Sequence, residues 1–504
     1  MPPLRLSMYS TTRTQSQFSG IANYGMQSWK ELFTPRQLLA LGTFVRHTRR
    51  VSEEMETLDY GPVWREAVSA LLSVPVDRLA DYTSSICSWH VSKEQMRNTF
   101  SRFALPIVWD FCEVDVTSGR SGGFDGAVDW VARAVKHVLG AANGEINALQ
   151  RSATQELPTD IDAIVTDPPY YDAIPYSDTM DFFYVWLRRS LHGLSDEIDD
   201  AFSEPLAPKW DHEEEDGELI DDASRFDGDK ERSKQAYEDG MAEAFERCYE
   251  ALNDNGRLCI VFANKSADAW ETLVSAVIRA GFVVDASWPI ETEMATRTRA
   301  HTSAALSSSI WIVCRKRPKT ARPGWDQQVL SDMRESIVDR LRQFWDAGIR
   351  GPDFVWAATG PAMESYSRYP VVKKADEPGE RMDVAEFLDH VRREVVDFAV
   401  GRVLSGNGHA DDDAERLDKV TAYYLLHRTD YGFAKVPSGA CILYAISCGL
   451  SDSDLDGTYD LLDQSGSKMQ LLAWDDRTRP QQDDLDPSAP MVDKVHRLLH
   501  LWSA

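Results

Sequence analysis

The sequence predicts an α/β fold, a mostly parallel sheet set between helical N- and C-terminal regions. Three observations lead there. From about residue 150, short apolar runs alternate with helix-like stretches of about ten to fifteen residues, the signature of strands joined by crossover helices. Residues 1 to about 100 carry apolar side chains at helical spacing, and so does most of the chain beyond Pro318. At 504 residues the chain exceeds one ordinary core. The pattern divides it into a mainly helical region 1–100, an α/β domain 101–318 with an acidic insertion at about 194–239, and a mainly helical domain 319–504 with a polar tail.

In order, FTPRQLLALGTFVRHTRRVSEEMETL (33–58) opens with Thr34 and Pro35, a helix start, and PVWREAVSALLSVPVDRLADYTSSICSW (62–89) repeats the pattern. PIVWDFCEVDV (106–116), a Gly/Ser turn and GAVDWVARAVKHVLGA (126–141) read as strand, turn and helix. IDAIVT (161–166) is a short buried strand, followed by the helix SDTMDFFYVWLRRSL (177–191). The acidic stretch containing DHEEEDGELIDD has no periodicity and reads as a mobile loop or insertion. The helix GMAEAFERCYEAL (240–252), the turn NDNG, the strand RLCIVFAN (257–264) and the helix SADAWETLVSAVIRAG (266–281) come next. FVVDASWPI (282–290) and SSIWIVCRKR (308–317) lack a helix between them and read as an antiparallel edge pair.

Composition narrows the function. The net charge is −27, which taken alone argues against a polyanionic partner, because phosphate binding draws on Lys and Arg. The alternative, which we adopt, is an acidic surface adapted to a salt-rich cytoplasm, where the Debye length shrinks to ~3 Å at 1 M salt. On that reading bulk charge says little about the partner. No apolar run approaches the length of a bilayer span, and MPPLRLSMYSTTRTQSQFSG has no signal-peptide core, so a cytoplasmic location without a membrane partner is expected. The seven cysteines are scattered and never spaced CxxC; they read as reduced thiols, with no metal site.

Chemistry concentrates in IDAIVTDPPYYDAIPYSD (161–178). Pro168 and Pro169 end the strand and fix two φ angles, so Asp167, the intervening carbonyls and the Tyr170 ring are held ready at a carboxyl strand end, where open α/β sheets bind ligands. The corner suits a flat molecule bearing an amine, with Asp167 and the Pro168 carbonyl each accepting one hydrogen bond and Tyr170 stacking on the ring. Two acceptors that draw both N–H bonds out of the ring plane return the lone pair of a purine amine to nitrogen. The methyl group of S-adenosylmethionine is the matching electrophile, attacked by direct displacement once the base is flipped out of its stack.

DPPY after a strand resembles the fourth motif of the amino-methyltransferases that modify adenine N6 or cytosine N4, its Asp form favouring adenine. With DPPYYDAIPYSDTMDFFYVWLRR, GRLCIVFANK, DASWPIETE, SSSIWIVCRKR, FTPRQLLAL, IVWDFCEVD and SRYPVV, the chain is similar to the large prokaryotic adenine-specific DNA methylase family with a conserved upstream domain of unknown function. The resemblance implies a Rossmann-like methyltransferase sheet, S-adenosylmethionine as cofactor, DNA as substrate, and restriction-modification or phage defence as setting. Catalysis would fall to Asp167, Pro168, Pro169 and Tyr170, with Tyr171, Tyr176, Arg188 and Arg189 as substrate contacts. Ser152 sits where such enzymes place a contact to the cofactor adenine, and Asp110 and Glu113 fit ribose-binding acids by the same logic. One departure is that the Gly-rich cofactor turn, roughly DPFxGxG, is not found: Phe18-Ser19-Gly20, Gly119 to Gly123, and Gly406 with Gly408 are poor candidates. The chain therefore looks like the C-terminal half of a larger enzyme, split or truncated, with the strand of the cofactor loop missing and a partner chain carrying it. Relatives carry His at or beside Asn264, which leaves that position without an assigned role.

Bland readings stand beside these. The aromatic run Phe182, Phe183, Tyr184 and Trp186 reads as helix core rather than a stacking platform. Arg188 and Arg189 also suit a helix C-terminus, and Arg315, Lys316, Arg317, Lys319 and Arg322 are either a nucleic-acid track or a solvated strand end. Methyl transfer to RNA or to guanine N2 stays open, as does a non-catalytic DNA-binding subunit or inactive remnant.

Overall fold

The computed structural model describes residues 24–503 except 27, 92–93, 101–104, 106, 120–121, 141–143, 145, 150, 172–175, 203–209, 215, 265–266, 292–307, 350, 405–416, 452–453, 466–467 and 479–486. The architecture is mixed α/β, and no sheet among the described residues closes into a barrel. The chain divides into two compact units: residues 1–152 with 172–237, and 153–171 with 238–504. The boundaries expected near residues 100 and 318 fall inside the first and the second unit. No helix among the described residues is long and apolar enough to cross a membrane.

The first unit is built on helices α1 (Pro35–Thr57), α2 (Pro62–Asp81), α3 (Phe124–Leu139) and α4 (Tyr176–Leu191). Thr34 and Gln37 start α1 as a reciprocal capping box: the Gln37 amide donates to Thr34 Oγ1 at 3.4 Å, and the Thr34 amide to Gln37 Oε1 at 2.8 Å. Of the α4 aromatic run, Phe182 and Trp186 are core and Phe183 packs half-buried against it, whereas Tyr184 is half-buried beside Phe202. Phe182 is fully buried, with the rings of Trp29, Phe33 and Phe100 centred 5.6, 5.8 and 5.1 Å away, and Trp186 packs edge-on against Phe33. Each such ring pair contributes about 0.5–1.5 kcal/mol beyond its burial.

Two expectations in this unit are corrected. The described residues of 106–116 form no strand: no neighbouring strand pairs with them among the described residues, Val108 and Val116 lean on the helical core, and Trp109 is wholly exposed. The acidic insertion is not a loose loop where it is described. It contains a short helix (Asp196–Ala201) and a two-residue antiparallel ladder (Trp210–Asp211 with Asp216–Gly217), and it buries Ile220 and Phe226. Arg225 and Glu218, nearly dry at 2.8 Å, explain the order: Glu218 also accepts from the amide and hydroxyl of Ser177 at 3.1 and 2.7 Å. The acids that mark the segment as disordered in composition are its internal ligands.

Asp77 on α2 is a cost to this unit. Its Oδ1 is buried without a hydrogen-bond partner, and desolvation pushes its pKa up to about 8. Between the unfolded carboxyl range near 4 and that value, the folded chain keeps a proton that the unfolded chain has released. Stability therefore falls as pH rises through this window. Asp77→Asn is expected to raise stability at pH 8 by roughly 1–3 kcal/mol, and by less at pH 5, in urea melts at the two pH values. Equal gains at both would refute the assignment.

The second unit carries a four-stranded mixed sheet formed by β1 (Ile161–Thr166), β2 (Leu252–Phe262), β3 (Phe282–Glu291) and β4 (Ser308–Lys316) in the order β1-β2-β4-β3. β1 runs parallel to β2; β4 is antiparallel to both β2 and β3. The last strand is thus inserted between β2 and β3, so the expected antiparallel pair is present but only β3 lies at the edge. NDNG is no free turn: Asn253 to Gly256 form an irregularity inside β2, where the register passes from Ile161↔Leu252 directly to Ala163↔Arg257. β1 corrects a second expectation. An Ile/Ala/Val strand is expected to be buried, yet it is an edge strand with Val165 64% exposed, because the described residues supply a neighbour on one side only.

Helices α5 (Lys230–Ala251), α6 (Ala267–Arg279), α7 (Asp326–Asp346), α8 (Gly351–Ser367), α9 (Val384–Leu404), α10 (Lys419–Tyr431), α11 (Ser438–Ser447) and α12 (Met491–Ser503) complete the main elements. α8 lies directly on β3, where a Cβ added at Gly360 would meet Ser287 at 2.1 Å, so only glycine permits the approach. A small sheet of Lys435–Pro437, Lys468–Leu471 and Leu462–Ser465 was not legible in the sequence. The basic cluster at the end of β4 is largely spent internally. Arg315 pairs with Asp285 at 3.0 Å, Lys316 donates to the Leu252 carbonyl and lies over the Tyr249 ring, and Arg317 donates to the carbonyls of Ile278, Ser367 and Tyr369. These three cations are engaged by groups of the same unit.

Candidate functional site

The DPPYY corner leaves the sheet at the carboxyl end of β1, in the second unit. Pro168 is buried and Asp167 is exposed, so the ring anchors the turn while the carboxylate stays outside. Asp167 Oδ1 accepts from the Tyr170 hydroxyl at 2.6 Å, a short charge-assisted bond. Its other oxygen, and the Pro168 carbonyl, have no hydrogen-bond partner among the described residues. These are the two acceptors that a planar amine requires.

The Tyr170 ring is not a free stacking surface. It packs edge-on against Phe262 at 5.4 Å, and Phe262 packs edge-on against Trp270 at 5.1 Å; both partners are buried. The phenol thus orients the carboxylate through its hydroxyl. Tyr171 closes the corner with φ +61°, its amide donating to the Pro169 carbonyl at 3.1 Å. A left-handed conformation is uncommon for a bulky residue and concentrates at functional sites.

Asn264, just past the end of β2, is a site residue to which sequence reasoning gave no role. Its Nδ2 donates to the Tyr170 carbonyl at 3.0 Å, and its own main-chain carbonyl accepts from Trp270 Nε1 at 2.9 Å. The corner is thereby braced to α6. The available signal was positional: β2 neighbours the motif strand, so the residue following it arrives at the same carboxyl edge. Asn264→Asp, which sets a carboxylate against a carbonyl, is expected to cost about 1–3 kcal/mol in thermal or urea unfolding. Asn264→Gln, which keeps a donor, costs less; equal losses would show that the bond is irrelevant.

Tyr176, Arg188, Arg189, Ser152, Asp110 and Glu113 all belong to the first unit. Tyr176 is exposed at the start of α4. Arg189 lies over the Trp186 ring at 5.4 Å, and both arginines sit in the last turn of α4, where a cation opposes the carbonyl end of the helix dipole. Ser152 donates to Asp216 Oδ1 at 2.9 Å. Glu113 is held by Arg36, whose Nε donates to both carboxylate oxygens at 2.8 and 2.9 Å, whereas Asp110 is exposed. Of the proposed glycine turns, Phe18-Ser19-Gly20 and Gly406 with Gly408 lie outside the described residues. Around Gly123 the backbone turns on itself, a Cβ there meeting the Ser118 carbonyl at 1.8 Å, so the turn serves the start of α3 and leaves no room for a ligand at that point. All seven cysteines are free thiols; burial pushes Cys248 up to about 11 and Cys441 and Cys448 up to about 12, which keeps them unreactive. Compared with known proteins, the chain matches no protein-family model, no curated protein and no solved structure.

Proposed function

We propose that this chain is the target-binding and catalytic half of an S-adenosylmethionine-dependent adenine N6-methyltransferase acting on DNA, its sheet the partial Rossmann-like sheet of that enzyme class. The observation that carries the reading is the exposed Asp167 carboxylate, one oxygen held by Tyr170 and the other without a partner among the described residues, next to the unbonded Pro168 carbonyl on a strand-end corner stiffened by two prolines. The amine of a flipped-out adenine donates one N–H to each. S-adenosylmethionine, when bound, would supply the methyl group to the nitrogen and leave as the thioether, and the Asp167 carboxylate or water would take the amine proton. Tyr170 acts by holding that carboxylate, and Asn264 by holding the backbone of Tyr170.

A second reading, a non-catalytic DNA-binding subunit, is favoured by one feature: these 504 residues contain no DPFxGxG turn for the cofactor. Binding and labelled-methyl transfer separate the two. The chain is assayed in high salt with S-adenosylmethionine on DNA and on RNA, alone and with the product of any neighbouring reading frame that encodes such a turn. Transfer to DNA adenine supports the enzyme; DNA binding without transfer in every combination supports the subunit.

A further inference from the structure

We propose that the groove between α2 and α3 binds a free medium-chain fatty acid, with Arg78 holding the carboxylate and the two helices enclosing the alkyl chain. The site lies wholly in the first unit and does not rest on the methyl-transfer reading. Its shape follows from the helical period. On α2, Leu71 and Val74 stand on one stripe, and Arg78 follows a turn later; on α3, Val131, Ala134, Val135 and Val138 form the facing stripe. With Trp130 and Leu139 these apolar side chains line a cavity of about 320 Å³. Small-molecule sites begin at about 300 Å³. The wall is not ordinary core: Leu71, Val74, Trp130, Val138 and Leu139 each keep 40% or more of their surface open.

One end of this trough is charged. The Arg78 guanidinium lies over the Trp130 ring at 5.0 Å and over the Tyr82 ring at 5.2 Å. Late α2 therefore meets early α3, the helices run antiparallel, and Leu71 faces the Val138–Leu139 end, about 10 Å of helix away from Arg78. Among the described residues Arg78 has no ion pair and no side-chain hydrogen bond. The acid one turn on, Asp81, accepts instead from Asn98 Nδ2 at 2.7 Å and from the Phe100 amide at 3.2 Å. In a chain with 81 acidic and 54 basic residues, a guanidinium without a carboxylate beside it is a departure from expectation. Rings over the cation leave its N–H edge for an acceptor lying in its plane, and a carboxylate meets that edge with two parallel bonds. An apolar length with a carboxylate at one end is a fatty acid. A partner helix, whose anchoring side chains recur every 5–6 Å or so, would call for separate pockets, and this trough is continuous.

The test is calorimetric titration of the full chain with decanoate, kept below micelle formation. Decanoate is expected to bind as one molecule per chain, and octanoate about tenfold more weakly, since each buried methylene contributes roughly fourfold. Decan-1-ol, which lacks the charge, should bind at least tenfold more weakly than decanoate. Arg78→Met should bring decanoate down to the affinity of the alcohol and leave the alcohol unchanged. Ala134→Trp fills the trough from an exposed position and should abolish binding of both; circular dichroism confirms that each variant folds. No saturable decanoate binding, equal binding of acid and alcohol by the wild type, or undiminished decanoate affinity in both variants overturns the proposal. So does binding of an acidic amphipathic peptide in place of decanoate, lost in the same variants, which would assign the groove to a protein partner.

Discussion

Asp167→Ala is expected to lower methyl transfer about 10²–10³-fold, the usual loss when one preorganised polar contact is removed from a reacting centre. The expectation follows from the division of labour at the corner. One carboxylate oxygen is engaged by Tyr170 and the other has no partner among the described residues, so in the proposed reaction the side chain would orient the amine and accept its proton, while contributing little to packing. Because Asp167 is exposed, its removal should change unfolding stability by no more than about 0.5 kcal/mol. Asp167→Asn keeps an acceptor oxygen but no charge, and should fall between wild type and alanine. Tyr170→Phe removes the orienting hydroxyl and keeps the ring contact with Phe262, so it should act on the rate and spare the fold. Transfer by Asp167→Ala at the wild-type rate, with the fold intact, ends the catalytic assignment.

Arg477→Ala is expected to give the largest loss of stability, about 3–5 kcal/mol, because it strands a buried carboxylate. The Arg477 and Asp493 side chains are both fully buried, 2.5 Å apart, and Arg477 also donates to the carbonyls of Tyr459 and Asp460 at 2.6 and 2.8 Å. Its Nη1 lies 2.9 Å from His496 Nδ1, which must be unprotonated to accept. Burial, then the guanidinium charge, push His496 down to about 4, and burial alone does the same to His427. The sign is opposite to that of Asp77. These folded-state values lie below the unfolded value near 6.5, so their contribution is complete above that pH and is lost as pH falls through about 4. Denaturant unfolding of the second unit should thus weaken between pH 6.5 and 4. Arg477→Met combined with Asp493→Leu should recover part of the loss, since no charge is then stranded. A single Arg477→Ala within 1 kcal/mol of wild type would mean that water reaches the pair.

Much of the local structure was legible because its causes are local. Thr34 and Pro35 start α1, the helical period of the α4 aromatics assigns Phe182 and Trp186 to core, and Pro168 with Pro169 ends β1. Failures came where the cause is a partner distant in the chain. IVWDFCEV has the composition of a strand but no ladder to join. Asn253 to Gly256 have the composition of a turn, yet the neighbouring pairing absorbs them into β2. The acidic insertion lacks periodicity, and Glu218 ties it to the amide and hydroxyl of Ser177, far back in the chain.

By itself the sequence determined where most of the helices and the four strands of the main sheet lie, and it singled out DPPYY as the candidate corner, because proline geometry and apolar period act over a few residues. Only the tertiary structure decided that Asp167 has one oxygen engaged by Tyr170, that Asn264 braces the corner, that Arg315, Lys316 and Arg317 are engaged internally and that β1 has a strand neighbour on one side only among the described residues. Those outcomes depend on which groups meet across long separations, and a hydrogen bond or a missing neighbour leaves no trace in local composition.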